Sequence, residues 1–88
     1  MKHISRACDI VRSFVDRTRN KGEHPDGLVY KTYVVIATYV LGNEKYLIST
    51  DLPDGKYYEV TYDADRDAFY LDCYVRIHNE MIGGVTDG

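Results

Sequence analysis

The sequence predicts an α+β fold in which one amphipathic helix packs on a four-stranded antiparallel sheet, in the order α-β-β-β-β. Three observations lead to this prediction. Apolar residues near the N-terminus recur at helical spacing. The rest of the chain consists of short segments rich in β-branched and aromatic residues, and turn residues separate those segments at short intervals. The length of 88 residues suits a single domain spanning residues 1–88.

The predicted helix covers residues 4–19. Its apolar side chains share one face at the i, i+3, i+4 and i+7 spacing, and they are Ile4, Ala7, Cys8, Val11, Phe14 and Val15. Arginines border this face, where their stems can lie on apolar surface while their guanidinium groups stay in water. Gly22 is a suitable residue to end the helix.

Residues 28–41 are predicted to form the first strand, and they include the most apolar segment of the chain. From Val34 to Ala37 the side chains are apolar at both parities, so both faces of this segment favour burial. Fully extended, residues 28–41 would span about 46 Å. A globule of this length has a radius of gyration of about 12 Å. The segment is therefore expected to bend, to contain a bulge, or to project beyond the body of the protein.

Turn residues divide the remaining chain into three returning strands, predicted at residues 44–50, 56–63 and 68–78. Gly42-Asn43 is interpreted as a two-residue hairpin turn. Two cross-strand pairs follow from that turn, Tyr39 with Tyr46 and Ala37 with Ile48. Residues 79–88 show no periodicity and are predicted to form a loose tail.

A second hairpin is predicted to join the last two strands through a four-residue turn over residues 64–67. This turn sets three apolar pairs on the helix side of the sheet, Tyr58 with Cys73, Val60 with Leu71, and Tyr62 with Phe69. Cys73 is therefore predicted to be buried. Cys8 and Cys73 stand too far apart in the sequence for a zinc motif, and no disulfide between them is expected.

The same register predicts a partner-binding surface on the other side of the sheet. Its members combine phenol and carboxylate groups with a bordering guanidinium, and they are Tyr57, Glu59, Tyr70, Asp72, Tyr74 and Arg76. Tyrosine buries a large area at low entropy cost and is frequent in recognition surfaces. Glu59 falls opposite Asp72, and like charges in that position destabilise a sheet by about 0.2–1 kcal/mol. We therefore expect this pair to be screened or to serve binding.

Charge is distributed unevenly along the chain. Residues 1–31 contain seven Lys or Arg against four Asp or Glu, whereas residues 32–88 contain four against ten, for a net charge of −3. The basic residues of the N-terminal part form an alternative binding site, for nucleic acid, and they are Arg6, Arg12, Arg17, Arg19 and Lys21. Asp9 and Asp16 interrupt that basic surface, which favours protein binding over nucleic-acid binding.

Motifs for catalysis, metal binding or a cofactor are missing from the sequence, so a non-enzymatic protein without cofactor or metal is expected. The carboxylates at residues 63, 65 and 67 imitate the start of a calcium-binding EF-hand loop. Ala68 and Tyr74 stand where that loop requires glycine and glutamate, so an acidic hairpin turn is predicted instead. His78 and Glu80 lack a third ligand at a telling spacing.

These features predict a small acidic protein-binding module of the cytoplasm. No apolar run approaches the roughly 20 residues that cross a bilayer, and charges interrupt the N-terminus where a secretory signal would be apolar. An acidic, tyrosine-rich face could occlude a basic nucleic-acid-binding surface of its target, as small inhibitors of mobile elements do. A homodimer through residues 28–41 is a further expectation if that strand lies at the edge of the sheet.

Overall fold

A computed structural model describes residues 1–18 and 30–84 of the chain. It confirms the predicted fold class, with one helix on a four-stranded antiparallel sheet. The elements are α1 (Ile4–Thr18), β1 (Thr32–Val40), β2 (Asn43–Thr50), β3 (Lys56–Asp63) and β4 (Ala68–Val75). The sheet order is β1-β2-β3-β4, so β1 and β4 are the edge strands. Residues 19, 28 and 85–88, which include the predicted helix end and the predicted start of β1, lie outside the described residues. The predicted strands at 28–41 and 68–78 were too long, because β1 begins only at Thr32 and ends at Val40, and β4 ends at Val75.

The core lies between α1 and the two central strands. Buried apolar side chains from α1, β2 and β3 form it together with one residue that precedes β1, and they are Ala7, Val11, Val15, Tyr30, Tyr46, Ile48, Tyr58 and Val60. Burying one such side chain stabilises the fold by about 1.5–3 kcal/mol. Along β2, buried residues alternate with half-buried ones, as expected for a strand with one covered face. In the part of the chain that the structure describes, no helix combines the length and apolarity needed to cross a membrane.

Cys73 is exposed, so the prediction that it is buried was wrong. Its register is as predicted, opposite Tyr58 and on the helix side of the sheet. A helix with its side chains is about 10–12 Å wide and neighbouring strands lie about 4.8 Å apart. One helix therefore covers two to three strands, and this helix lies over β1, β2 and β3. The end of β4 extends beyond the cover, which leaves the Cys73 thiol in solvent.

The hairpin between β1 and β2 turns at Leu41-Gly42, one residue before the predicted turn at Gly42-Asn43. Both central residues have positive φ, 52° at Leu41 and 84° at Gly42, as a type I′ turn requires. The predicted cross-strand partners were therefore wrong. The observed register pairs Ala37 with Tyr46, Val34 with Ile48, and Tyr39 with Glu44. From Ile36 to Val40 the shift is two residues in partner number, so these side chains keep the face that the predicted register gives them. Before the bulge the shift is three residues, which places Val34 on the helix side, opposite Ile48.

A bulge interrupts β1 between Val34 and Ile36, which confirms that this segment deviates from a regular strand. Beyond the bulge the strand stays poorly covered, with Ile36 54% and Tyr39 62% exposed. The radius of gyration is 16.1 Å, whereas a compact chain of this length has about 12 Å. The protein is therefore less compact than a typical globule of its length.

The β3–β4 hairpin has the predicted register throughout, with a turn over residues 64–67. The buried Asp63 carboxylate accepts hydrogen bonds from the backbone N–H groups of Asp65 and Arg66, and from the Arg66 guanidinium at 2.8 Å. The hydrogen bond from Arg66 holds the pKa of Asp63 below its ordinary value. The acidic turn thus uses this carboxylate to order its own backbone.

A substitution at Leu41, in the turn between β1 and β2, is expected to stabilise the folded protein. A non-glycine residue in the left-handed region costs about 1–2 kcal/mol, and asparagine tolerates that region better than leucine. Leu41→Asn is expected to raise the free energy of unfolding by about 1 kcal/mol. Urea denaturation measures this free energy. The protein concentration is kept low enough that the midpoint of unfolding does not depend on it.

Leu41→Ala is the matched control, because it also removes the exposed leucine side chain but keeps a Cβ at positive φ. It is expected to give no comparable gain. Equal stabilisation by asparagine and alanine would show that exposure of the leucine, and not the backbone conformation, is what the substitution relieves.

Candidate protein-binding face

The side of the sheet that faces away from α1 has no cover in the described residues, and we call it the outer face. The β3–β4 register places five of the six predicted binding residues on it, in the pairs Tyr57 with Tyr74 and Glu59 with Asp72, and with Tyr70 opposite Thr61. Arg76, the sixth, follows the end of β4, where its backbone N–H donates to the Gly55 carbonyl at 3.0 Å. The predicted residues are therefore brought together on one side of the sheet.

Three tyrosines of β3 and β4 form an aromatic group on the outer face. The rings of Tyr57 and Tyr74 are stacked, with centroids 5.1 Å apart and an interplanar angle of 17°. Such a pair contributes about 0.5–1.5 kcal/mol beyond the area it buries. Tyr57, Tyr70 and Tyr74 remain 39%, 48% and 41% exposed. The ring pair is thus ordered by its own contact while much of its surface stays available.

The carboxylates next to these rings influence the Tyr74 phenol. The negative charge of Glu59, followed by partial burial and the charge of Asp72, raises the pKa of Tyr74 above its ordinary value. A phenol with a raised pKa remains protonated at neutral pH and can donate a hydrogen bond. Tyr74 therefore offers a partner both an aromatic surface and a hydrogen-bond donor.

A lysine on β2 neutralises one of the two carboxylates. Lys45 Nζ lies 3.3 Å from Glu59 Oε1 and donates to Thr61 Oγ1 at 3.1 Å. The ion pair is partly exposed, so its contribution is at most about 1 kcal/mol. Its main consequence is to relieve the repulsion between Glu59 and Asp72, which the β3–β4 register sets opposite each other. With Lys45 and Arg76 included, the outer face is balanced in charge and not predominantly acidic.

On the outer face, β1 and β2 also contribute aliphatic side chains, which were not part of the binding surface predicted from the sequence. Ile36 and Val40 are 54% and 39% exposed, and they border a shallow cavity of about 230 Å³ together with Leu47 and the Lys45–Glu59 pair. Ile36 and Val40 are four residues apart, so a regular strand places them on the same face, and the sequence contained this signal. It became interpretable only once the turn was placed at residues 41 and 42.

A larger groove, of about 800 Å³, lies at the end of the outer face where β1 and β3 begin. The rings of Tyr33 and Tyr57 line it, together with the loop that connects β2 to β3. Lys56, Arg76 and His78 lie at its border. No carboxylate is among its lining residues within the described chain. His78 Nε2 is 2.9 Å from Glu80 Oε1, so this imidazole already has an acidic partner. The remaining charged groups of the groove are the Lys56 ammonium and the Arg76 guanidinium.

The arginines of α1 do not form one continuous basic surface. The guanidinium of Arg6 lies 5.9 Å from the centre of the Phe69 ring, and that of Arg17 lies 5.6 Å from the centre of the Phe14 ring. Arg12 lies at the opposite border of the helix, 5.6 Å from the centre of the Tyr30 ring. Arg19 and Lys21, the other members of the alternative nucleic-acid site, lie outside the described residues. The described arginines are thus divided between two borders of the helix.

A buried polar network at the start of α1 was not predicted. The backbone N–H of His3 donates to the Tyr46 hydroxyl at 3.2 Å, and that hydroxyl donates to the Glu44 carboxylate. His3 Nδ1 lies 3.2 Å from both Glu44 oxygens, and the His3 carbonyl accepts the first hydrogen bond of the helix from Ala7. The network therefore fixes the start of α1 to the start of β2. Glu44 shares the parity of Tyr46 and Ile48, and an inward carboxylate requires such a partner.

The environment of this network shifts two pKa values in opposite directions. The hydrogen bond from Tyr46, followed by the hydrogen bond and charge of His3, holds the pKa of Glu44 below its ordinary value despite burial. Burial and the hydrogen bond to Glu44 raise the pKa of Tyr46 to about 12. At neutral pH the carboxylate is therefore ionised and the phenol protonated, as the hydrogen bond between them requires.

The described residues contain no group of three or more His, Cys, Asp or Glu side chains that could hold a metal ion. Within that part of the chain, the carboxylates of Asp63 and Asp67 and the His78–Glu80 pair are engaged in local contacts. Cys8 and Cys73 are free thiols, half-buried and exposed respectively. The outer face and its groove thus remain the strongest candidate for a functional site.

Replacing Glu44 by glutamine tests the role of the buried carboxylate. Because the pKa of Glu44 is lowered in the folded protein, its stabilising effect is complete above the ordinary value of 4.5 and is lost as pH falls through the folded value. Glu44→Gln is expected to lower the free energy of unfolding by about 1.5–3 kcal/mol at pH 7. The difference from the original protein is expected to shrink below pH 4.5.

Urea denaturation at several pH values measures this dependence. Asp9→Asn is the control, because it removes an exposed carboxylate from the solvent side of α1, and it is expected to follow the pH profile of the original protein. A Glu44→Gln variant whose deficit stays constant down to acidic pH would contradict the assignment.

Comparison with known proteins supplies a family and no further match. No curated protein and no solved structure matches the chain. A family model matches residues 4–84, which include α1, the whole sheet and the segment after β4. The match therefore covers the outer face, its groove and the His3–Glu44–Tyr46 network except for His3 itself. The chain belongs to the family described as "Family of unknown function (DUF6275)".

Proposed function

We propose that the protein is a non-enzymatic binding module of the cytoplasm that recognises another protein through the outer face of its sheet. One observation carries this proposal. The outer face has no cover in the described residues, yet it presents the stacked Tyr57–Tyr74 pair, Tyr70 and the aliphatic side chains of Ile36 and Val40 to solvent. Aromatic and aliphatic side chains exposed together on one face of a soluble protein commonly mark a binding surface.

The chemistry of the outer face suits a protein partner. Tyrosine and arginine are enriched among the residues that contribute most to binding energy, and the face offers Tyr57, Tyr74 and Arg76 near one another. The polar groups between the aromatic and aliphatic parts already pair with each other through Lys45. Covering them would therefore leave fewer unpaired charges than the sequence alone implied.

The groove favours an extended segment of the partner. Its volume of about 800 Å³ and its open end suit several side chains of a peptide. The lining combines two tyrosine rings with Lys56 and Arg76 and, among the described residues, no carboxylate. An acidic or aromatic segment complements that lining, because it pairs opposite charges at the border and places rings against rings.

In one form of the proposal, the protein inhibits its target by occluding a basic nucleic-acid-binding surface. This form depends on fewer carboxylates of the outer face than the sequence predicts. Lys45 neutralises Glu59, so Asp72 is the carboxylate of the outer face that remains available to a basic target. The net charge of −3 still favours approach to such a target. This form therefore depends mainly on Asp72, on Tyr74 and on long-range attraction.

Substitution of Tyr74 and Asp72 by alanine tests the outer face. The tagged protein and the double variant are used as baits in a lysate of the native host, and retained proteins are quantified by mass spectrometry. The affinity of each purified candidate is then measured by titration. Loss of at least about tenfold in affinity is expected, since truncating one central interface residue commonly costs more than 1 kcal/mol.

A control variant, Asp9→Ala with Met81→Ala, removes the same kinds of group away from the outer face. Asp9 is exposed on α1, and Met81 is 95% exposed beyond β4. The control is expected to bind as the original protein does. Equal affinity of the original protein, the control and the Tyr74/Asp72 variant, all shown to be folded by circular dichroism, would reject the outer face.

Titration with labelled DNA and RNA at low salt tests the alternative of nucleic-acid binding. We expect no binding, because the described arginines lie at two separate borders of α1 and the chain is acidic. Binding that weakens steeply with salt, and that Arg6→Ala with Arg17→Ala reduces, would favour the alternative instead.

A further inference from the structure

The edge strand β1 and the turn residue after it expose a large amount of apolar side-chain surface. Five consecutive or nearly consecutive side chains are largely in solvent, with exposed fractions of 52%, 54%, 62%, 39% and 98% at Val35, Ile36, Tyr39, Val40 and Leu41. Some of these side chains lie on the helix side and others on the outer face. A partner on the outer face alone would therefore leave part of this surface uncovered.

β1 also lacks the features that usually prevent an edge strand from pairing. From Thr32 to Asn43 the sequence contains no charged residue and no proline, in a chain of which 28% is charged. Natural edge strands are commonly protected by lysine, by proline or by a bulge. The bulge between Val34 and Ile36 leaves the five residues of β1 beyond it regular.

The backbone of this regular part presents free hydrogen-bonding groups to the edge. A two-residue turn is flanked by a hydrogen-bonded pair, here Val40 with Asn43. In an antiparallel ladder such pairs alternate, so Thr38 also bonds to β2 while the N–H and C=O groups of Ala37 and Tyr39 point away from it. Those groups match a second antiparallel strand.

We propose that β1 pairs with β1 of a second copy of this chain, antiparallel, about a two-fold axis at Thr38. Ala37 of each copy then lies opposite Tyr39 of the other, so that their outward N–H and C=O groups form two symmetric pairs of main-chain hydrogen bonds. The two sheets become one continuous sheet, and the interface is isologous. This inference does not depend on the proposed function.

The side chains are complementary in the same register. On the outer face, Ile36 of each copy lies opposite Val40 of the other. Beyond this pair, Leu41 comes next to Val35 of the other copy. On the helix side, the small Ala37 leaves room for the Tyr39 ring. Each of the five exposed residues from Val35 to Leu41 named above thus acquires an apolar neighbour, and no like charges meet. A strand of another protein has no reason to reproduce this match.

The area available sets the strength of the dimer. Burying the exposed parts of Val35 to Leu41 in both copies removes on the order of 1,000 Å² from water, the lower limit for a specific interface. The dimer is therefore weak and depends on protein concentration. An exposed leucine at positive φ is also explained, because Leu41 contributes the largest exposed fraction of the edge.

Sedimentation velocity over a wide range of protein concentration tests the dimer. The original protein is expected to shift from monomer to dimer as concentration rises. Thr38→Lys places two like charges at the two-fold axis and is expected to weaken association at least tenfold, whereas Ser13→Lys adds the same charge on the solvent side of α1 and leaves it unchanged. A monomer at every concentration, or a dimer that Thr38→Lys does not weaken, would overturn the proposal.

Crosslinking tests the register, in a background of Cys8→Ala and Cys73→Ser. At the axis the two Thr38 residues form a non-hydrogen-bonded pair with Cα atoms about 4.5 Å apart, within the range of a disulfide. Thr38→Cys is therefore expected to crosslink with oxidised glutathione. Val40→Cys is not, since its copies would lie about 13 Å apart along the strands. Crosslinking of Val40→Cys in preference to Thr38→Cys would reject this register.

Discussion

One helix covering a sheet of four strands is the constraint from which the other features of this protein follow. A helix is wide enough for two to three strands, so the fully buried apolar side chains of the sheet lie in β2 and β3. Towards either edge the side chains of the helix side become exposed, at Tyr39 in β1 and at Cys73 in β4. The opposite side of the sheet has no covering element at all among the described residues.

The position of that helix depends on contacts at both of its ends. At its start, the His3–Glu44–Tyr46 network ties the first turn to β2 through a buried, ionised carboxylate. Near its end, the Tyr30 hydroxyl donates to Asp16 at 2.7 Å, which ties the last turns to the segment before β1. Polar contacts of this kind are directional, whereas the apolar stripe of α1 would tolerate sliding along the sheet. They therefore decide which strands are covered and which surfaces remain open.

The open surfaces are of two kinds, and they imply different partners. The outer face is mixed, with stacked tyrosines, balanced charges and a cationic groove, which suits a different protein of complementary chemistry. The edge of β1 is neutral and apolar with outward backbone groups, which suits a copy of itself. The two surfaces adjoin at Ile36 and Val40, so a pairing of β1 strands would bring two outer faces side by side and double the surface presented to a target.

By itself, the sequence determined the fold class, the order of the elements, and the full register of the β3–β4 hairpin with the face of each of its side chains, because helical and strand periodicities are local properties of the chain. It placed Tyr57, Tyr70 and Tyr74 on one face for the same reason. Only the tertiary structure decided that Lys45 neutralises Glu59 there, that Cys73 lies in solvent, and that His3 meets Glu44. Those outcomes depend on the position of the helix and on contacts between residues distant in sequence, which periodicity does not encode.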